Sequence, residues 1–480
     1  MNADLSSVDF AALSPLLILL GGALLLLLLE SFFEKETQKH AGNLTLLILA
    51  AAIGAAIYAP SSDNPLLTPW LRFDSIARQF TLLFLSIGFG SALLASSFFQ
   101  RFQATQGEYF FLLISSIFGL ILIGSAADFL MIFLGLETLS ISLYVLCGYI
   151  KKWKISHEAA IKYFLMGSLA AAFLLYGIAL IYGAVGTTRL NLLLQGYRSI
   201  VSSSDQVLFL SGIAFVTVGL AFKAALVPFH VWAPDVYDGA PTPVTAFMAV
   251  GTKAGAFAAF ALVFLIALPQ FNVLWNQSIA LLAYPTLIYA NFVALKQVQL
   301  RRFFAYSGIS HAGYLIIPLA VGTAEAIPAL LFYLVVYALS TLGCFAVLAV
   351  LDNSSQGVML EDLRGLFRRA PFLAAILAIC LLTLSGLPPT VGFFAKFYLF
   401  KLGFQAGYYV LVIVALLMTI LSAFYYMRIV AMMYSEEPVE QTSIVHSWPA
   451  AIVGISACAA IIILSCYPAP LITFLASISQ

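Results

Sequence analysis

A chain of 480 residues with 62% hydrophobic and 9% charged positions falls outside the soluble globular class, in which about 25% of residues are charged. Its formal net charge of +1 gives no field for nucleic acid. A mean hydropathy of +1.03 leaves little chain for a soluble domain. At roughly 20 apolar residues per bilayer crossing, the sequence accommodates a dozen or more membrane helices. The five cysteines, Cys147, Cys344, Cys380, Cys458 and Cys466, form no Cys-x-x-Cys pair and read as small core residues. The N-terminus is acidic and polar before a long apolar run, which predicts an uncleaved first helix.

Apolar runs separated by polar or Pro/Gly punctuation predict about fourteen spans. They begin near Ala11, Leu44, Asp74, Tyr109, Phe129, His157, Val207, Thr242, Ser278, Phe303, Ile327, Pro371, Tyr408 and Trp448. The expected fold class is therefore an all-α integral membrane protein. One set of alternate loops holds Lys35, Lys39, Arg101, Lys151, Lys152, Lys154, Lys296, Arg301, Arg302, Arg364, Arg368, Arg369 and Arg428. The other holds Arg72, Arg78, Arg189, Arg198 and Lys401. Thirteen cations against five place the first set in the cytoplasm, and an even number of spans then leaves both termini outside.

The remaining lysines, Lys162, Lys223, Lys253 and Lys396, fall within spans, as does Glu137. A charge in hydrocarbon is costly unless it faces protein or water, so Lys223, Lys253 and Lys396 are candidate functional groups. Lys162 follows a Lys-rich loop closely enough to snorkel, and both readings stand for it. Metal coordination would ask for several carboxylates, and this interior is poor in acids. Protons suit the inventory better than sodium, though sodium stays open.

Two spans are interrupted. Lys223 runs into Pro228 and a Pro/Gly-punctuated loop, and Gly386, Pro388, Pro389 and Gly392 break the span that carries Lys396. Proline frees a carbonyl that lipid cannot satisfy, so each break predicts a polar, protein-lined interior. The breaks fall in the seventh and twelfth spans, five apart. An odd-numbered repeat crosses the membrane upside down, which is the signature of an inverted-repeat transporter. The expected organisation is a three-helix segment over 1–108, five-helix repeats over 109–267 and 278–430, and a C-terminal helix in 431–480.

The stretches 133–140 (FLGLETLS), 219–241 (GLAFKAALVPFHVWAPDVYDGAP), 306–314 (YSGISHAGY) and 384–397 (LSGLPPTVGFFAKF) resemble the antiporter-like subunits of respiratory complex I. The resemblance covers essentially the whole chain. It implies that Glu137 modulates the charge of Lys223 on the broken seventh helix, that Lys253 is a connecting lysine, and that Lys396 faces the exit or the next subunit. It also implies that Lys162 is the sixth-helix lysine and that His311 lies on the polar axis. His230 either lines the cytoplasmic mouth or hydrogen-bonds backbone freed at the break. For His311 alone, without the resemblance, a satisfied core histidine is the ordinary reading. The implied partners are the other complex I membrane subunits, large and small, together with membrane lipid and no nucleic acid. The implied location is the bacterial inner membrane.

The function that follows is a non-redox, proton-translocating subunit of a NADH-quinone oxidoreductase. The sequence has no cysteine ladder for iron–sulfur, no haem attachment motif and no Gly-x-Gly-x-x-Gly loop. NADH, FMN, iron–sulfur clusters and quinone would therefore be handled by other subunits, with no cofactor or metal here. Three alternatives remain: an Mrp-type sodium/proton antiporter subunit, the pump module of a hydrogenase or ferredoxin-driven complex, and a structural scaffold in which the lysines only pair and pack.

Overall fold

The computed structural model describes residues 9–102, 104, 106–269, 272–438 and 447–477, without the side chains of 34–38 and 272–274. Both chain ends and the Lys35 side chain lie outside the described residues. Among those described, the chain is helical and no strand forms. We number the helices by span. They are α1 (Phe10–Phe33), α2 (Lys39–Tyr58), α3 (Ser75–Arg101), α4 (Gly107–Gly124), α5 (Phe129–Cys147) and α6 (Lys154–Val185). The seventh span is split into α7a (Ser203–Ala224) and α7b (Trp232–Gly239). Then follow α8 (Thr242–Ala267), α9 (Asn272–Ala294), α10 (Leu300–Val321) and α11 (Ala326–Leu351). The twelfth is split into α12a (Pro371–Ser385) and α12b (Val391–Gln405), and α13 (Tyr409–Ser435), α14 (Trp448–Cys466) and the short α15 (Ala469–Ala476) complete the order.

Thirteen helices among the described residues are long and apolar enough to cross a membrane. The fourteenth expected span is the split one. Each half has 15 residues, or about 22 Å at 1.5 Å per residue, short of a bilayer core of roughly 30 Å. Helix starts carry local signals: Asp74 accepts from Ala77 N at 2.9 Å, Asp128 from Leu130 N at 2.8 Å and Gln299 from Arg302 N at 2.7 Å. Each satisfies a backbone donor that has no partner within its helix. Between α1 and α2 the helix bends at one non-helical residue, Phe33 (φ −135°, ψ 46°), so Lys39 stands on a helix rather than in a loop.

The helices differ sharply in burial. The apolar window of α10 is 100% buried and those of α8 and α11 are 89% buried, against 33% for α6, α13 and α14. The axis of the molecule is therefore α8, α10 and α11, with α6, α13 and α14 on the periphery. Close crossings use small residues, because no hydrophobic drive operates between helices in lipid. A Cβ added at Gly119 of α4 would lie 2.6 Å from Gly135 O of α5, and one at Gly135 would lie 2.7 Å from Gly119 O.

Like Lys39, Arg301 of the charge count stands on a helix and not in a loop. Arg301 is fully buried; its Nη1 donates to Ala240 O at 2.7 Å and its Nη2 to Ser355 O at 3.0 Å. It ties the start of α10 to the α7b–α8 junction and to the loop after α11. Asp352, equally buried, accepts from Thr242 Oγ1 at the start of α8, and Arg101 Nη1 of α3 donates to its carbonyl at 2.7 Å. Burial holds the Asp352 carboxyl above its ordinary value, with Arg301 and Thr242 opposing.

Candidate functional site: a row of buried lysines

At the first break, α7a ends with Ala225 in the left-handed region (φ 57°, ψ 44°), and the chain passes through a cis Val227–Pro228 bond into α7b. Side chains satisfy the freed backbone. Trp232 Nε1 donates to Phe222 O at 2.8 Å, and Val227 N donates to Thr286 Oγ1 of α9 at 3.0 Å. Lys223, 3% exposed, lies just before this break. Its Nζ donates to Ser140 Oγ of α5 at 2.6 Å and stands 5.6 Å from the ring centres of both Tyr144 and Tyr163. Such ring faces attract an ammonium where water is excluded.

From Lys223 an aromatic track leads inward. Tyr163 stacks on Trp232 at 4.7 Å, and Trp232 meets Tyr237 edge-on at 6.2 Å. Tyr237 Oη then receives Lys253 Nζ at 3.3 Å, and its ring centre lies 5.5 Å from the same ammonium. Lys253 follows a π-helical stretch, Met248–Thr252, inside α8. Such stretches loosen the regular hydrogen-bond ladder and gather at functional sites. Here Tyr337 Oη of α11 donates to Ala249 O at 3.1 Å. Gly308 of α10 leaves the space for both groups, since a Cβ there would sit 2.9 Å from Lys253 Nζ and 2.9 Å from Tyr337 Oη.

The row continues through His311 of α10, whose ring lies 5.0 Å from that of Tyr337. Its Nδ1 shares a hydrogen with Tyr333 Oη at 2.7 Å, and its Nε2 with Tyr426 Oη at 3.3 Å. The tautomer decides which partner donates in each. A small cavity, lined by His311, Tyr337, Ser340, Thr383 and Lys396 among others, separates His311 from the second break. There Lys396 Nζ donates to Ser385 O at 2.9 Å, capping the carbonyl end of α12a, and lies 4.7 Å from the Tyr314 ring centre. Gly386 (φ +76°) and a cis Pro388–Pro389 bond make the turn into α12b. Among the described residues no carboxylate lies within 4 Å of Lys223, Lys253 or Lys396.

A row of buried lysines and a histidine, joined by hydroxyls and set between two broken helices, is matched by known proteins. A family model described as NADH:quinone oxidoreductase/Mrp antiporter, transmembrane, matches residues 126–422. The chain belongs to the NADH:quinone oxidoreductase/Mrp antiporter family. It is 61% identical over 485 residues, all of both chains, to NADH-quinone oxidoreductase subunit N of Protochlamydia amoebophila. Among solved structures it is similar to a chain of respiratory complex I from Thermus thermophilus (TM-score 0.82, 34% identity, 96% of this chain and 98% of that one). It is also similar to a chain of the membrane-bound sulfane sulfur reductase, an archaeal respiratory membrane complex (TM-score 0.83, 25% identity, 98% and 97%).

Of the residues that likeness to the antiporter family singles out, Lys223, Lys253, His311 and Lys396 lie in this one buried row. Glu137 is half-buried on α5, one turn before Ser140, and among the described residues makes no ion pair with Lys223. Lys162 is not in the row. Its side chain is 43% exposed and pairs with Glu158 and with Asp235, each at 2.8 Å. Asp235 in turn pairs with Arg302 at 3.0 Å, and Arg302 meets Asp238 at 3.4 Å. Lys162 thus draws an acid from within the chain, because Asp235 of α7b reaches it across 73 residues. His230 is buried; among the described residues its Nδ1 finds no hydrogen-bond partner, and its ring packs on Tyr289 at 4.8 Å. Trp232 and Thr286 hydrogen-bond freed backbone at this break, and the Pro228 backbone lies within hydrogen-bonding reach of His230. Sequence reasoning missed Ser140, Tyr237, Tyr337 and Asp235. The helical spacing of Glu137 and Ser140 could have flagged Ser140; nothing local marks the others.

Proposed function

We propose that this chain is a non-redox, proton-translocating membrane subunit of a NADH-quinone oxidoreductase, with protons passed along Lys223, Lys253, His311 and Lys396. The observation that carries the reading is that row itself: three ammonium-bearing side chains inside the helix bundle, each held by hydroxyls, carbonyls and ring faces rather than by a carboxylate. Full-length likeness to a subunit N and to a complex I chain supports the assignment of the complex. Glu137 acts as the movable counter-charge. An ion pair at 4 Å contributes about 4 kcal/mol at an effective dielectric of about 20. Drawing Glu137 away therefore weakens the hold on the Lys223 proton and favours its passage toward Lys253 and Lys396.

The repeats 109–267 and 278–430 would each contribute one broken helix, with 1–108 and 431–480 as flanking segments and both termini on the outer side of the bacterial inner membrane. NADH, FMN, iron–sulfur clusters and quinone belong to other subunits, and neighbouring antiporter-like and small membrane subunits cover the peripheral helices. Lys162 with Asp235 and His230 flank the row and tune proton uptake on the cytoplasmic side. The test is Lys223→Ala in the assembled complex in native vesicles. NADH-driven proton uptake and coupled quinone reduction should fall together; undiminished pumping would overturn the proposal. Purification in mild detergent tests the partner assignment. Flavin and iron–sulfur subunits should accompany the chain, whereas companions limited to other antiporter-like proteins would favour a sodium/proton antiporter.

A further inference from the structure

The side chains of Glu137, Ser140 and Tyr144 are spaced i, i+3 and i+7 on α5, which puts them on one helix face. Lys223 meets that face at its middle member, not at the acid: its Nζ bonds Ser140 Oγ at 2.6 Å and stands 5.6 Å from the Tyr144 ring centre. Glu137 stands one turn away, about 4.5 Å along the axis at 1.5 Å per residue. The flexible four-carbon stem of a lysine can cover that step.

The hydroxyl geometry gives Ser140 a definite polarity. Its single proton is directed to Leu136 O, so only lone pairs face the lysine. A lone pair binds the charge-assisted N–H of an ammonium more strongly than the weaker N–H donors of a neutral amine. Ser140 therefore favours the charged form of Lys223 while the lysine is apart from its carboxylate. Beyond it, Tyr144 Oη is buried and finds no well-formed hydrogen bond among the described residues, with the Ser140 hydroxyl beside it on the same face. A buried polar group left unpaired is costly, and a Lys223 that moved one step further would satisfy it.

We propose that Ser140 is a positioning residue for proton transfer: the seat that takes the Lys223 ammonium when it leaves Glu137, with the Tyr144 hydroxyl next along the same face. This rests on the proton-pumping reading above. Separation of the ion pair then does not discharge the lysine at once. The proton stays until Lys223 leaves Ser140, which keeps it from leaking back toward the carboxylate.

The test uses the whole complex in native membrane vesicles, with assembly checked on native gels and NADH-driven proton uptake measured. Ser140→Ala removes the seat and should slow pumping by about tenfold, the worth of one charge-assisted hydrogen bond. Ser140→Thr keeps the hydroxyl and should restore most of the rate. Ser140→Cys keeps the volume with a weak acceptor and should fall between them, which covers the case in which Ala leaves a damaging gap. Combined with Glu137→Gln, Ser140→Ala should add less than its single effect, because the two groups serve one lysine. Normal pumping in Ser140→Ala, with Glu137→Gln and Lys223→Ala impaired, would remove the seat and leave the function standing. A Thr variant as slow as the Ala variant would also overturn it. Normal pumping in all three single variants would overturn the proton-pumping reading itself.

Discussion

Gly308 offers the sharpest test of the row's geometry, because it lies outside every charged group and contributes only space. A methyl group there would lie 2.9 Å from Lys253 Nζ and 2.9 Å from Tyr337 Oη, inside the 3.5–4.0 Å at which non-bonded heavy atoms are content. The ammonium is the easier group to displace, since α10 and α11 are buried along their lengths. Its hydrogen bond to Tyr237 is 3.3 Å, with no slack to lose. Overpacking of a tight interior costs about 1–3 kcal/mol, and a hydrogen bond from a charged group about 1.5–3 kcal/mol. Transfer through Lys253 in Gly308→Ala should therefore slow by about tenfold, at about 1.4 kcal/mol per factor of ten. The assay is the initial rate of NADH-driven proton uptake in vesicles at matched levels of assembled complex. Tyr337→Phe deletes one of the two obstructing atoms, so Gly308→Ala/Tyr337→Phe should recover part of the loss. Full pumping in Gly308→Ala would show that Lys253 is not confined as described and would refute the reasoning.

Two further predictions concern the supports of the row. Trp232→Phe removes the bond to Phe222 O at the first break; it should lower stability by about 1–3 kcal/mol, seen as earlier thermal unfolding of the detergent-solubilised complex, and unchanged unfolding would deny Trp232 that role. Asp352 gives a pH signature. Its folded-state value is raised above 3.8, chiefly by burial, so its contribution to stability is fully present below 3.8 and is lost as pH rises through the raised value. The advantage of wild type over Asp352→Asn in unfolding temperature should therefore grow as pH falls from 7 toward 4; a difference independent of pH would contradict the assignment.

The architecture was legible because the bilayer enforces it residue by residue. Apolar length decides a span, and all fourteen expected starts lie within six residues of a helix start. Proline and glycine mark where a helix cannot continue, so both breaks could be read directly. A lysine in hydrocarbon is conspicuous wherever it stands, which singled out Lys223, Lys253 and Lys396. Lys162 exposes the limit of that rule. Its local sequence left both snorkelling and function open, and its half-exposed pairing with Asp235 depends on a contact 73 residues away.

Only the tertiary structure decided which groups the lysines touch. Ser140 lies 83 residues from Lys223, Gly308 belongs to a different helix from Lys253, and Arg301 proved a buried clamp rather than a loop charge. Sequence alone determined that the protein holds charged side chains within a membrane interior, because desolvation is a property of each residue and its near neighbours. Their hydrogen-bond partners are set by how helices far apart in the chain cross, and that crossing appears only once the helices are packed.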